Sequence, residues 1–244
     1  TFLSTTVLAG LGCTISLSSM GIPTYQQQHP SIYQLLGLDS SHLISHPIVL
    51  EKESFKHFSE MKTAAQKDGI ILKIVSGYRN FDHQKQIWEN KYNTLIESLQ
   101  PDEAISEIIT YSSIPGTSRH HWGTDIDIID DAEELPAGDI LLEKHYHGKG
   151  IFAPMRKWMK RFGSDFGFEL VYTKQKSRSG FLYEPWHYSF QPQSKDYLQT
   201  QLSQDFQQAW NQVEFKGKEY MNSDFISDYF QNYSLGINPV LIPS

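Results

Sequence analysis

Three short stretches of this chain carry residue types that could share one piece of chemistry. They are Ser118-Arg119-His120-His121-Trp122-Gly123-Thr124-Asp125-Ile126-Asp127, Glu184-Pro185-Trp186-His187 and, upstream, Ser76-Gly77-Tyr78-Arg79. The first two hold the groups that a catalytic zinc needs. Three protein ligands of the His/His/Asp kind leave a fourth position for water. A carboxylate near the last ligand can take that water's proton and later deliver it to a leaving amine. A basic residue set against a developing oxyanion would complete a peptidase.

Each part also has a plain structural alternative. His120 and Asp127 have Gly123 between them, and Thr124-Asp125-Ile126-Asp127 is a poor helix, so a loop running into a strand fits better. On a strand, Asp125 and Asp127 share one side while Thr124, Ile126 and Ile128 share the other. Two carboxylates on one strand face need partners, and a metal is one. Taken alone, a His near an Asp is more often structural than ligating. His187 changes that weighting, because Glu184-Pro185-Trp186 is a stiff, bulky lead into a second strand. The Pro-Trp step can turn Glu184 into the site, where it would be the proton-accepting carboxylate.

With these motifs in order, the chain resembles the zinc D-alanyl-D-alanine carboxypeptidases of the VanY type, within the LAS metallopeptidase superfamily. The resemblance rests on Ser118-x-His120-x-x-Gly123-x-x-x-Asp127, on Glu184-Pro185-Trp186-His187, and on Ser76-Gly77-Tyr78-Arg79 with Gln84 five residues after the arginine. It covers about Val49 to Phe190. It implies His120, Asp127 and His187 as Zn2+ ligands and Glu184 as general base. It implies Arg79 as the group that polarises the scissile carbonyl or holds a substrate carboxylate, a task suited to a planar guanidinium. Gln84 and Ser118 would be further substrate contacts. One departure stands out: many members have a small apolar residue where this chain has Asp125. Asp125 could fix the tautomer of a ligand histidine or compete for the metal, so the choice of Asp127 rests on spacing. His121 is open between a supporting and a surface role.

The implied activity is removal of C-terminal D-alanine from peptidoglycan stem peptides by zinc-activated water. An endopeptidase of the same fold and a zinc-bearing module without catalysis are the rivals. The implied location is periplasmic or otherwise extracytoplasmic. The implied fold is α+β: a small antiparallel sheet carries the zinc site and helices flank it, as in the hedgehog signalling domain and D-Ala-D-Ala peptidases.

The rest of the sequence is consistent with this placement. A chain of 244 residues can bury a proper core. A net charge of -7 without a Lys/Arg cluster argues against a nucleic-acid partner. The single cysteine, Cys13, excludes an internal disulfide and a cysteine-rich zinc site. No uninterrupted apolar stretch of about 20 residues predicts a transmembrane span. Thr1 to Met20 reads either as an export signal that has lost its basic first residues or as a Ser/Thr/Gly-rich segment of the mature protein. Gly21 to Pro30 reads as an irregular arm.

Three regions follow: an N-terminal segment over 1–48, a zinc peptidase domain over 49–190, and a helical extension over 191–244 packed on that domain. Apolar spacing predicts helices over Val49–Lys67, from a cap at Asp82 to about Leu99, over Pro101–Ile109 and Ala153–Phe162, and from Ser194 through Trp210. Strands are expected over Ile70–Val75, Thr124–Ile129, Phe168–Thr173 and Trp186–Phe190. Asp131 to Gly150 reads as a surface loop. The acidic run Asp130, Asp131, Glu133, Glu134 reads as a solvated face. His145 and His147 read as loop residues. His42 and His46, followed by Pro47, do not form a zincin helix.

Overall fold

The structure, a computed structural model, describes residues 30–44, 48–132 and 134–244. The readings made for Thr1 to Met20, Cys13, the arm up to residue 29, His46 and Glu133 lie outside the described residues. Among the described residues no helix is long and apolar enough to cross a membrane.

The architecture is α+β, with helices around a four-stranded antiparallel sheet. Its strands are β3 (Leu72–Ser76), β4 (Asp125–Asp130), β6 (His187–Phe190) and β5 (Phe168–Leu170), in that order across the sheet. A separate two-stranded pair joins β1 (Leu43–Ile44) to β2 (Leu50–Glu51). The register of the larger sheet matters most. Asp127 sits directly opposite His187, and Asp125 directly opposite Ser189. Paired residues on neighbouring strands point to one face, so these four side chains are gathered by strand pairing alone. Ile126, Ile128 and Tyr188 belong to the apolar cluster behind the sheet. The β3–β4 pairing slips between Ile74 and Ser76, so that Ser76 comes opposite Asp127. Such a bulge bends the strand end, and Gly77 follows it directly.

Helix α2 (Lys52–Lys67) lays Phe58, Met61 and Ala65 against the back of the sheet, at the predicted spacing. It starts later than Val49 because Leu50 and Glu51 are engaged in β2, and Glu51 caps the helix by accepting from the backbone of Glu53 and Ser54. Helix α5 (Ala153–Phe162) adds Met155, Trp158 and Met159 to the same cluster. Helix α3 (Phe81–Leu95) is capped by Asn80, not Asp82: the Asn80 side chain accepts from the His83 N–H at 2.8 Å. Helix α4 (Pro101–Ile109) has its predicted bounds.

A second cluster joins α3 and α4 to the short helix α1 (Ile32–Leu35) and to the C-terminal segment. There the predicted single helix is two, α6 (Gln191–Gln201) and α7 (Gln204–Trp210), because Ser203 caps α7 from the Phe206 N–H. Helix α8 (Ser223–Tyr229) follows. Trp210, Phe215, Tyr229 and Leu241 all enter the cluster with Trp88 and Ile105.

Two loop readings change. Asp131 to Gly150 is not wholly superficial: Tyr146 is fully buried and its hydroxyl donates to the Ile128 carbonyl at 3.1 Å. The acidic run is not wholly solvated either. Asp130 is buried, and its Oδ1 accepts from the backbone N–H groups of Ile71 at 2.9 Å and Ala132 at 3.1 Å. Asp131 does face outward, toward Lys73. Asp130→Ala strands two backbone donors, one just before β3 and one just after β4, and we expect it to lower unfolding free energy by about 1–3 kcal/mol in urea titration. An unchanged midpoint would contradict this account of the strand end.

Candidate functional site

His120 comes from a 3-10 turn, Arg119–Trp122, that ends at Gly123 in the left-handed conformation with φ 73°. A side chain is excluded there: a Cβ would lie 2.5 Å from Leu43 Cδ2 and 2.8 Å from the Glu51 nitrogen. This glycine lets the chain turn sharply from the histidine into β4. Glu184 precedes β6 in a turn built on Pro185 and Trp186, where the His187 N–H donates to the Glu184 carbonyl at 3.3 Å. The turn brings Glu184 Oε2 to 2.9 Å from His187 Nδ1.

The three predicted ligands meet. One ligand atom from each of His120, Asp127 and His187 lies within 4.8 Å of the others, and all three residues are buried. His120 Nδ1 donates to the Gly77 carbonyl at 2.8 Å, which leaves Nε2 facing Asp127 Oδ2 at 3.5 Å. His187 Nε2 donates to Asp125 Oδ2 at 3.0 Å, which leaves Nδ1 at 3.8 Å from Asp127 Oδ1. In the neutral rings that bind metal, these partners place the proton on His120 Nδ1 and on His187 Nε2. A tetrahedral zinc with bonds of roughly 2.0–2.2 Å needs its ligand atoms roughly 3.4 Å apart, and the two His–Asp127 spacings, one to each carboxylate oxygen, lie near that. Asp127 Oδ1 is buried with no hydrogen-bond partner. A buried, unpaired carboxylate oxygen is costly, and a cation at this point satisfies it. The donor set and spacing therefore fit a divalent metal.

The electrostatics agree. Burial, with further pressure from Glu184, raises the Asp127 carboxyl to about 6 against opposing pulls from His187 and Arg79. Burial favours a neutral His187 ring, but the carboxylates of Asp125 and Glu184 outweigh it and raise the ring to about 10. The field at His187 thus favours positive charge. His120 is held well below its usual value by burial and by the neighbouring His187 and Arg79. A neutral imidazole is the form that binds metal.

Asp125 is fully buried and lies beside the cluster rather than in it. Besides holding His187, it accepts from Arg119 Nε at 2.7 Å, Ser189 Oγ at 2.5 Å and Thr124 Oγ1 at 3.0 Å. Burial alone would raise its carboxyl, but Arg119 and His187 keep it ionised. The sequence reading missed Arg119. The signal was present: a second carboxylate on the inward face of a strand needs a countercharge, and Arg119 is six residues away.

Arg79 lines the cleft above the cluster. Its Nη1 donates to Gln84 Oε1 at 2.7 Å and its Nη2 to Ser76 Oγ at 3.3 Å. Gln84 is fully buried behind the arginine, and its amide donates to Ser112 Oγ at 3.2 Å and the Ser113 carbonyl at 2.7 Å. It is not among the residues that line the cleft, so it reaches any bound molecule through Arg79. Ser118 does line it. His121 is buried between the Arg79 carbonyl, 2.6 Å from Nδ1, and the Gly116 N–H, which donates to Nε2 at 3.2 Å. Burial lowers it to about 4, so it is a neutral staple. His147 bonds to Tyr183, and His42 to the Trp122 carbonyl.

The cleft encloses about 680 Å³ and is open to solvent beside Leu182 and Tyr111. Groups of these kinds, gathered on the floor of an open cleft, do metal-assisted hydrolysis. The comparisons with known proteins narrow the class. The VanY family, described as D-alanyl-D-alanine carboxypeptidase, matches residues 47–193. The chain belongs to that family.

It is 31% identical over 139 residues to the Bacillus subtilis (strain 168) protein YodJ, covering 57% of this chain and 45% of that one. It is 27% identical over 136 residues to a D-alanyl-D-alanine carboxypeptidase of Enterococcus faecalis (strain ATCC 700802 / V583), covering 55% of this chain and 45% of that one. The match thus spans about half the length of these relatives. The solved structure of the D,D-pentapeptidase VanY from the VanB-type resistance cassette, a Zn(II) complex, aligns at 21% identity with a TM-score of 0.48. That alignment covers 75% of this chain and 93% of that one.

Removing the Asp125 charge tests the arrangement around His187. Asp125→Asn should weaken zinc affinity about 10- to 100-fold in chelator competition. Affinity equal to the parent protein would show that Asp125 does not set the histidine.

Proposed function

We propose that this chain is a zinc-dependent carboxypeptidase that removes C-terminal D-alanine from the stem peptides of bacterial peptidoglycan, outside the cytoplasm. Residues 49–190 form the peptidase domain, and 191–244 form an extension packed on it. The observation that carries the reading is the buried His120–Asp127–His187 cluster with Glu184 beside it and Arg79 across the cleft. His120, Asp127 and His187 would hold the zinc. When bound, zinc supplies a Lewis acid that lowers the pKa of a water molecule and polarises a peptide carbonyl.

The side chains do the rest. Glu184, 26% exposed, can meet both solvent and substrate. Its carboxylate takes a proton from the attacking water and returns it to the leaving amine. The Arg79 guanidinium is held from behind by Gln84 and Ser76, so its orientation is set before a ligand arrives. It pairs with the terminal carboxylate of the peptide.

Charge balance favours a free C-terminus over an internal bond. With both histidines in the neutral form that binds metal, Asp125, Asp127 and Glu184 face Arg79 and Arg119 around the floor and leave one negative charge before the cation is counted. A divalent cation reverses that to one positive charge. A substrate with a terminal carboxylate neutralises it, and an internal peptide segment does not.

The test is incubation of the zinc-loaded protein with muropeptides bearing four- or five-residue stems, followed by mass. Loss of one alanine from the five-residue stem alone makes it a DD-carboxypeptidase, and loss from the four-residue stem an LD-carboxypeptidase. No loss from either, with zinc bound, overturns the reading in favour of an endopeptidase or a non-catalytic zinc module. Glu184→Gln should keep its metal and lose turnover by about 100-fold or more. Retained turnover would sink the base assignment.

A further inference from the structure

Five aromatic rings run in contact from a loop on one wall of the cleft to His187 on its floor. The first is Tyr229 at the end of α8. It is buried, and its hydroxyl accepts from the Ile114 N–H at 3.2 Å and lies 2.9 Å from Thr117 Oγ1. Ile114 and Thr117 belong to the loop over 112–118, which contributes Ser112, Ser113 and Ser118 to the cleft and leads into His120. After Tyr229 the helix widens into a π turn, Phe230–Ser234, which stacks Tyr233 on Tyr229 with centroids 5.0 Å apart and planes 11° from parallel. Tyr233 meets Phe181 edge-on at 5.0 Å, Phe181 meets Tyr172 at 5.3 Å, and Tyr172 meets His187 edge-on at 5.1 Å. Phe181 and Tyr172 line the cleft from the loop over 171–184.

Hydrogen bonds run beside the rings on both walls. Trp210 Nε1 donates to the Pro115 carbonyl at 2.9 Å, and Gln201 Nε2 to the Thr117 carbonyl at 3.1 Å. Toward the other wall, Asn238 donates to the carbonyls of Val171 at 2.8 Å and Leu170 at 3.0 Å, and Arg178 donates to the Gly236 carbonyl at 2.8 Å. Every partner drawn from the C-terminal segment lies beyond residue 193, where the family match ends.

Packing alone does not account for this. A phenylalanine would fill the place of Tyr229, and a buried hydroxyl is a cost unless it is bonded. Here it is spent on the backbone and a side chain of a cleft loop. We infer that the C-terminal segment is a clamp across the cleft: Tyr229 and Tyr233 are positioning residues that hold the 112–118 and 171–184 loops at a fixed separation and so set the grip on the peptide. The statement about the peptide rests on the proposed function, whereas the clamp itself concerns the loops.

The experiment compares the full zinc-loaded chain with Tyr229→Phe and Tyr233→Leu by hydrogen exchange and by steady-state kinetics on a five-residue-stem muropeptide. Tyr229→Phe removes only the hydroxyl, so it folds even if Tyr233→Leu does not. We expect residues 112–118 to exchange roughly two- to tenfold faster in Tyr229→Phe, with α2 unchanged. Tyr233→Leu should loosen both loops. KM should rise by a similar factor while kcat and zinc content hold. Wild-type exchange in both loops of both variants overturns the clamp. So does a fall of kcat and Tm together at constant KM, which marks a general structural role. If the exchange shifts but the wild-type chain cleaves no stem peptide, the clamp stands and the proposed function falls.

Discussion

One buried carboxylate ties together the elements on which the site depends. Asp125 stands on β4 with Asp127, binds Arg119 from the turn that carries His120, and binds His187 and Ser189 from β6. All three candidate ligands are thereby referred to a single point. The Arg119–Asp125 pair is fully buried, and Arg119 also lies over the Trp122 ring at 4.4 Å. A buried ion pair adds little net stability over apolar packing, yet breaking one costs about 3–5 kcal/mol. Its value here is geometric. It holds Asp125 against His187 Nε2 and so turns Nδ1 of that ring toward Asp127.

A second set of bonds interlocks the arginine with the histidine turn. The Arg79 N–H donates to the His120 carbonyl at 3.0 Å, the Arg79 carbonyl receives His121 Nδ1, and the Gly77 carbonyl receives His120 Nδ1. The bulge at Ser76 makes this possible, because it turns the end of β3 toward the turn instead of past it. Arg79 and His120 therefore do not move independently. Whatever the arginine holds is placed relative to the cluster by backbone bonds, which are less adaptable than side-chain contacts.

Much of this was legible in the residues. Alternation along Asp125–Asp130 put the two aspartates on one face, and Pro185–Trp186 announced the turn that brings Glu184 to His187. The α+β class and the sheet strands followed from short β-branched runs between amphipathic helices. What was illegible depended on pairing across long separations. The break between α6 and α7 turns on Ser203 as a cap, a local signal outweighed by the apolar spacing on both sides. Asp130 looks like one of a solvated acidic run until β3 pairs with β4 and presents the Ile71 N–H. Gln84 sits at the spacing of a substrate contact, but α3 packs it inward behind Arg79. The aromatic chain could not be read at all, since Tyr229 and Tyr233 lie far in sequence from Tyr172, Phe181 and His187, and only the folded C-terminal segment brings them into contact.

The floor and the walls of the cleft are built on different terms. A metal-binding arrangement tolerates errors of only about 0.5 Å, and paired strands supply that precision. The floor residues accordingly come from β4, β6 and a turn cross-linked by Asp125. The walls shape the opening of the cleft and are loops, and loops have low local stability unless something holds them. In this chain the holding groups lie largely beyond residue 193, in the segment that packs against α3 and α4. The two parts can then change separately. Substitutions at Arg119 or Asp125 act on whether the floor forms, whereas substitutions around Tyr229 and Tyr233 act on the spacing of the walls and leave the floor in place.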